Sequence, residues 1–308
     1  MLADYHVHTE FSDDSIYPME NVVKDAIRLG LNEICITDHV DYGVKVDWDS
    51  GKGSILRALN FLYKFYYWCQ DLALLNKILS GLKTLYRHGR PLTKPNVNYP
   101  RYAVEIERLQ SLYGDQLTIK MGMEFGVQTH TIPQFEALFR RYPFDFIILS
   151  IHQVEDKEFW TQEFQKGRTQ QEYNECYYEE MLNVVKAYKD YSVLGHMDLI
   201  KRYDKAGIYP FEKVKPIIAE ILKIVIADGK GIEVNTSSRR YGLNDSTPSQ
   251  ELLCLYRDLG GKIVTIGSDS HAPAHLGTYI VDAKEQLKAL GFQNFYTYTK
   301  MEPVPHHL

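Results

Sequence analysis

Six of the eleven histidines in this chain stand at or just past the C-terminal ends of short apolar runs. They are His6 and His8, His39, His152, His196 and His271, and two carboxylates, Glu124 and Asp269, hold equivalent positions. Imidazole and carboxylate together, without cysteine, are the ligand chemistry of Zn, Mn or Fe. In an extended strand residues i and i+2 point to the same side, so His6 and His8 can chelate one ion. Asp269 and His271 share that spacing. The two oxygens of Glu124 can bridge two ions. A single His-x-His is weak evidence, and an isolated histidine at a strand end is usually a hydrogen-bonded surface residue. Eight such groups crowded at one sheet edge without a cation would be costly. They also exceed what one ion takes, so the pattern predicts a multinuclear metal site.

These groups are distant in sequence and need a fold to converge. The hydrophobic pattern predicts seven short strands: Leu2–Val7, Glu33–Thr37, Leu117–Met123, Phe146–Ile151, Ser192–Gly195, Gly231–Val234 and Lys262–Gly267. Most are continuously apolar, as parallel strands covered on both faces are. Helical patterns separate them: Pro18–Leu29, Pro100–Tyr113, Ile132–Arg141, Thr169–Tyr188, Pro210–Ala227, Pro248–Leu259 and Asp282–Leu290. Repeated β-α units predict a parallel α/β sheet, open or closed into a barrel. Either form puts all strand C-termini, and so the histidines, on one face.

Val44–Tyr99 breaks the rhythm, where a βα connection usually needs only a few residues. It is rich in aromatics (Phe61, Tyr63, Phe65, Tyr66, Tyr67, Trp68) and reads as one or two helices followed by a basic loop. Without it about 250 residues remain, the usual length of one barrel. The chain therefore reads as a single domain, 1–308, with a helical insertion after the second strand. The aromatic stripe suits a small satellite core, a lid or a dimer contact.

Composition narrows the function. The 308 residues carry 35 basic and 40 acidic side chains, for a net charge of −5. No basic stripe appears, which argues against a general nucleic-acid binder. The four cysteines, Cys35, Cys69, Cys176 and Cys254, are scattered without a CxxC, as in a reduced, cytoplasmic protein. The N-terminus shows no signal-peptide pattern, and no apolar run is long enough to span a membrane.

The ordered motifs resemble the PHP (polymerase and histidinol phosphatase) family. They are Asp4-Tyr-His6-Val-His8-Thr9, Thr37-Asp38-His39, Gly122-Met-Glu124, Ser150-Ile-His152, Gly195-His196 and Gly267-Ser-Asp269-Ser-His271. Each is modest alone; the ordered set is specific and runs from residue 4 to 271. Glu233-Val-Asn235-Thr236-Ser237 and Gly195-His196-Met-Asp198-Leu look most like the histidinol-phosphate phosphatase branch, although the long insertion departs from its compact members. The resemblance implies a distorted, TIM-like (β/α)7 barrel with three divalent metal ions. It implies one ion on His6, His8, Glu124 and Asp269, a second on Asp14, His39 and His196, and a third on Glu124, His152 and His271. Asp14 is taken over the adjacent Asp13 on the family's spacing from His6.

The implied reaction is hydrolysis of a phosphomonoester, with L-histidinol phosphate as the substrate of that branch, in histidine biosynthesis. Clustered cations activate a hydroxide for in-line attack and neutralise phosphate oxygens. Asp38 is a candidate general acid, with orientation of His39 as its other reading. Arg202 and Arg240 follow the fifth and sixth strands and suit a bidentate grip on phosphate; surface salt bridges are the commoner fate of loop arginines. Trp160, Tyr241 and the aromatics of the insertion are available for the substrate ring, and the sequence assigns none of them. Three other classes compete. A PHP phosphoesterase on nucleotides or DNA 3′ ends is opposed by the charge balance. An amidohydrolase-type barrel also uses His-x-His but fits Glu124 and Asp269-x-His271 less well. A non-catalytic binding protein would be expected to have lost ligands.

Overall fold

The computed structural model describes residues 1–48, 95–243 and 245–308. Each predicted apolar run forms a strand: β1 (Ala3–Val7), β2 (Glu33–Ile36), β4 (Thr118–Gly126), β5 (Phe146–Ser150), β8 (Val193–Leu194), β9 (Gly231–Asn235) and β10 (Val264–Gly267). Every residue of β1, β2, β5, β8, β9 and β10 is buried, which is why these runs carry no polar alternation. Hydrogen bonding joins them, all parallel, in the order β1-β2-β4-β5-β8-β9-β10. The ring nearly closes through a bridge between Val7 and Ser270, where His8 N donates to Ser270 O at 2.8 Å. The fold is therefore a nearly closed, seven-stranded α/β barrel.

Among the described residues the α-helices are α1 (Met19–Arg28), α2 (Tyr99–Tyr113), α3 (Ile132–Phe139), α4 (Gln170–Ala187), α5 (Phe211–Ala227), α6 (Gln250–Asp258) and α7 (Ile280–Ala289). Their starts follow local chemistry. Thr169 and Glu172 form a reciprocal capping box on α4, and Ser249 caps α6. Their apolar faces, such as Val22, Val23 and Ala26 of α1, pack on the barrel in one continuous core.

One irregularity matters for the site. The second barrel strand breaks at Thr37-Asp38 and resumes as the two-residue β3 (His39–Val40), which pairs with the far half of β4. This register sets His39 directly beside Glu124. Two short strands, β6 (Gln153–Val154) and β7 (Lys157–Glu158), form a hairpin beyond β5.

The C-terminal residues, for which the apolar pattern gave no element, form an antiparallel hairpin of β11 (Asn294–Thr299) and β12 (Glu302–His307). It packs against the N-terminal end of the barrel. Tyr298 N donates to Tyr5 Oη at 2.7 Å, and Tyr298 Oη donates to Ser192 O at 3.2 Å. The insertion expected over Val44–Tyr99 falls mostly on residues 49–94, outside the described residues. Its two flanks lie side by side, with Val46 bridged to Pro95. Among the described residues, no helix is long and apolar enough to cross a membrane.

Candidate metal centre

The strand C-termini converge on a cavity of about 310 Å³, a size that suits a small molecule. Most of the histidine and carboxylate cluster lines it, with His6 and His8 fully buried behind. His6 Nε2 lies 3.1 Å from Glu124 Oε2 and 3.8 Å from Asp269 Oδ1. His8 Nε2 lies 3.5 Å from each of the same two oxygens. Ligand atoms at about 2.0–2.1 Å around a tetrahedral Zn stand about 3.4 Å apart, and these four atoms are spaced in that way. His6 Nε2, His8 Nε2 and Glu124 Oε2 are all buried, and none makes a hydrogen bond. A lone-pair cluster of this kind is stable around a cation and costly without one.

Glu124 is the hub. Its other oxygen, Oε1, lies 3.0 Å from His152 Nε2 and 2.7 Å from His196 Nε2. Asp14 Oδ2 lies 3.3 Å from His271 Nε2 and 3.5 Å from His39 Nε2. Three sets of atoms could thus hold metal: His6, His8, Glu124 and Asp269; Glu124, His152 and His196; Asp14, His39 and His271. The first matches the expected set. In the other two, His196 and His271 exchange places relative to the expectation. The reason is the ring order: β8 delivers His196 beside β5 and its His152, whereas β10 closes on β1 and brings His271 to the Asp14 loop. Asp13 turns away, with Oδ1 2.7 Å from Lys45 Nζ, which leaves Asp14 as the carboxylate of the cluster.

Electrostatics favour charge at the hub. Burial opposes ionisation of Glu124, but His6, His152 and His39 outweigh it and hold the carboxyl well below its usual range. Asp269 is held low in the same way, against burial, by His6, His8, His271 and Arg202. Asp269 also sits in the left-handed backbone region, with φ +54°. Such a conformation in a residue other than glycine costs about 1–3 kcal/mol and is concentrated at functional sites.

Several rings are oriented from behind. His6 Nδ1 lies 2.5 Å from Glu233 Oε1, His152 Nδ1 lies 2.8 Å from Asp41 Oδ1, and His271 Nδ1 lies 3.0 Å from Asp269 O. An acceptor at Nδ1 fixes the tautomer whose Nε2 lone pair faces the centre. Glu233 and Asp41 had no assigned role in the sequence reading. The available signal for Glu233 was a carboxylate in the middle of an otherwise apolar strand, since buried acids are retained with a partner. Gly267 is required here, because a Cβ would overlap His6 Cβ and Glu233 Oε1.

Geometry separates the three residues expected to act on the substrate. Asp38 is fully buried, and its oxygens accept Thr9 N (2.7 Å), Thr9 Oγ1 (2.7 Å), Ser12 N (3.0 Å) and Ser12 Oγ (2.5 Å). It does not line the cavity, and these four contacts staple the loop after β1. Arg240 Nη2 donates to the carbonyls of Ser268 and Asp269, both at 2.8 Å, and it too is absent from the cavity wall. Its task is to support the turn that carries Asp269. Arg202, by contrast, lines the cavity. Its guanidinium lies 3.9 Å from the Tyr241 ring centroid, Nη2 donates to Ser237 Oγ at 2.6 Å, and Nη1 lies 3.7 Å from Asp269 Oδ2. Its Nε is buried without a hydrogen-bond partner. Trp160 and Tyr241 are both about half exposed at the cavity mouth.

Two further histidines make their contacts elsewhere. His130 pairs with Asp156 at 3.0 Å, and His306 with Thr297 Oγ1 at 2.8 Å.

Comparison with known proteins points the same way. The chain is 29% identical over 307 residues to a histidinol-phosphatase of Lactococcus lactis subsp. lactis (strain IL1403), covering 97% of this chain and 95% of that one. It is 27% identical over 283 residues to a probable histidinol-phosphatase of Clostridium acetobutylicum, covering 90% and 89%. The crystal structure of the histidinol phosphate phosphatase of Lactococcus lactis, in complex with zinc, L-histidinol and phosphate, superposes with a TM-score of 0.75 at 27% identity, covering 98% of both chains. The putative histidinol phosphatase of Listeria monocytogenes shares the fold, with a TM-score of 0.65 at 18% identity, covering 91% of this chain and 99% of that one. The family model for the PHP domain matches residues 4–237, which carry all of the converging ligand atoms except those of Asp269 and His271. With three quarters of its length matched in this way, the chain belongs to the PHP family.

Proposed function

We propose that the chain is a metal-dependent phosphomonoesterase that hydrolyses L-histidinol phosphate to L-histidinol and phosphate, a step of histidine biosynthesis. The observation that carries the reading is the cluster itself: three sets of ligand atoms beside a small-molecule cavity, two sharing Glu124 and the third meeting it through His39 Nδ1 at 2.8 Å, with a buried arginine beside them. The similarity to histidinol-phosphatases, one of them crystallised with zinc, L-histidinol and phosphate, supports the substrate.

His6, His8, Glu124 and Asp269 would hold one divalent ion, Glu124, His152 and His196 a second, and Asp14, His39 and His271 a third. Zn, Mn and Fe all suit this donor set. When bound, such ions activate water and neutralise phosphate oxygens. Arg202 donates to the phosphate from the cavity wall, its plane fixed by the Tyr241 ring and its far side by Ser237 and Asp269. Trp160 and Tyr241 offer flat apolar surface to the imidazole, and Glu158 adds a carboxylate to the same wall for the ammonium group. Cys35, Cys176 and Cys254 are free thiols, which supports a cytoplasmic setting.

The test is phosphate release from L-histidinol phosphate beside a panel of other phosphomonoesters and a short DNA oligomer, with Mn, Zn or Fe and after chelation. Strong preference for L-histidinol phosphate, lost on chelation and restored by metal, is expected. Poor turnover there with a better rate on another ester would reject the substrate; chelator-insensitive turnover would reject the metal chemistry.

A further inference from the structure

Lys45 is an unusual neighbour for a cation-binding centre. It lies just past β3, next to the flank where Val46 meets Pro95, and it lines the same cavity as the ligands. Its side chain is nearly buried, with Nζ 2.7 Å from Asp13 Oδ1 and 2.7 Å from Asp41 Oδ2. Each carboxylate leads to a different part of the centre. Asp41 Oδ1 lies 2.8 Å from His152 Nδ1, on the far side of that ring from Glu124. Asp13 is joined by one peptide bond to Asp14, whose carboxylate faces His39 and His271. Gly126 makes room for this contact, since a Cβ there would overlap both Asp41 Oδ1 and His152 Nδ1.

We infer that Lys45 is a positioning residue of the metal centre, a clamp that holds Asp41 on His152 and Asp13 away from the ligand set, so that both ion sites outside the His6–His8 pair depend on it. The inference rests on the metal-dependent reading proposed above. Lys45 keeps its charge: burial works against it, but Asp13, Asp41 and Asp14 outweigh burial. With Nζ between two carboxylates, its contacts are directed at the scaffold. Without Lys45, Asp41 loses the charge that fixes its carboxylate behind His152, and Asp13 loses the contact that draws it toward Asp41. Partners behind a ligand typically carry about 10- to 100-fold in metal affinity.

The experiment compares wild type with Lys45→Met, Lys45→Arg and Asp41→Asn. Mn²⁺ affinity is measured by calorimetry, and Co²⁺ loading by visible absorption, on folded protein checked by circular dichroism. Lys45→Met is expected to bind one ion at near wild-type affinity and the others about 10- to 100-fold more weakly. At saturating Mn²⁺ its KM for the phosphate ester stays near wild type. Lys45→Arg should recover part of the affinity, and Asp41→Asn should weaken at least the His152 site. Wild-type Mn²⁺ affinities in Lys45→Met overturn the inference, and so does a raised ester KM with unchanged Mn²⁺ binding, which would make Lys45 a substrate contact. If Lys45→Met fails to fold, unchanged Mn²⁺ affinities in Asp41→Asn overturn it instead. A wild-type protein that binds no metal would reject the proposed function itself, a different outcome.

Discussion

Replacing Glu233 by glutamine tests the support of the metal centre most directly. Glu233 is buried and serves as a double acceptor. Oε1 lies 2.5 Å from His6 Nδ1, and Oε2 accepts the backbone N–H of His196 at 3.0 Å. Glutamine has the same shape but only one acceptor oxygen. Its NH2 group must then face either the His6 N–H or the His196 N–H, donor against donor. Leaving a buried donor unsatisfied costs about 1–3 kcal/mol. If glutamine turns its oxygen to His196, the His6 ring gains by flipping its tautomer, which puts a proton on Nε2 where the metal should bind. If it turns to His6, the backbone that carries His196 loses its anchor. Either way the metal centre bears the loss, and the expected fall in metal affinity is about 10- to 100-fold, or about 1.4–2.7 kcal/mol. The assay is Mn²⁺ and Zn²⁺ affinity by competition with a chelating dye, beside kcat at saturating Mn²⁺. Saturation should restore most of the turnover, because no group that touches substrate has changed. Wild-type metal affinity in Glu233→Gln would refute the reasoning, as would a hundredfold loss of kcat that metal does not rescue.

Two further substitution experiments separate catalytic from structural roles. Arg202→Ala should raise both the ester KM and the inhibition constant of inorganic phosphate by about 10- to 150-fold, the value of a charged hydrogen bond. Arg240→Ala should leave both constants unchanged and lower stability by about 1–3 kcal/mol, because two backbone carbonyls lose their donor; the reverse pattern in steady-state kinetics would exchange the two assignments. Asp38→Asn should keep kcat within a few-fold and reduce stability in urea by about 1–2 kcal/mol, as charged acceptors become neutral ones. A loss of about 10²-fold or more in a folded Asp38→Asn protein, the size of a lost general acid, would restore Asp38 to the reaction.

Much of the architecture was written into local pattern. Strand and helix positions follow from apolar runs and breakers, and all seven barrel strands fall where those runs lie. The C-terminal hairpin was missed because its strands lie on the barrel end: β11 is only half buried, and β12 carries two prolines and stays largely solvent-facing. Its reason to exist is Tyr298 meeting Tyr5, a contact 293 residues apart that no window can register.

For the site, the sequence by itself determined the inventory. Histidines and carboxylates at the C-terminal ends of parallel strands must share one rim, because the strand direction alone sends them there. That argument gathers His6, His8, His39, Glu124, His152, His196, Asp269 and His271 without knowledge of any distance. Asp14 entered only through family resemblance, and its geometry beside His39 and His271 comes from the fold. Tertiary structure alone decided who stands next to whom. His196 joins His152 and His271 joins Asp14 because neighbours around a closed ring are set by strand order, with the last strand returning to the first. The same holds for charge. Asp38, Arg240, Glu233 and Lys45 are all polar residues near the rim. Only their partners in space separate a loop staple, a backbone brace, a ring anchor and a clamp from a group that meets substrate. Residue type fixes what a side chain can donate or accept; burial and partner geometry fix which of those options remains open, and both come from contacts far apart in the chain.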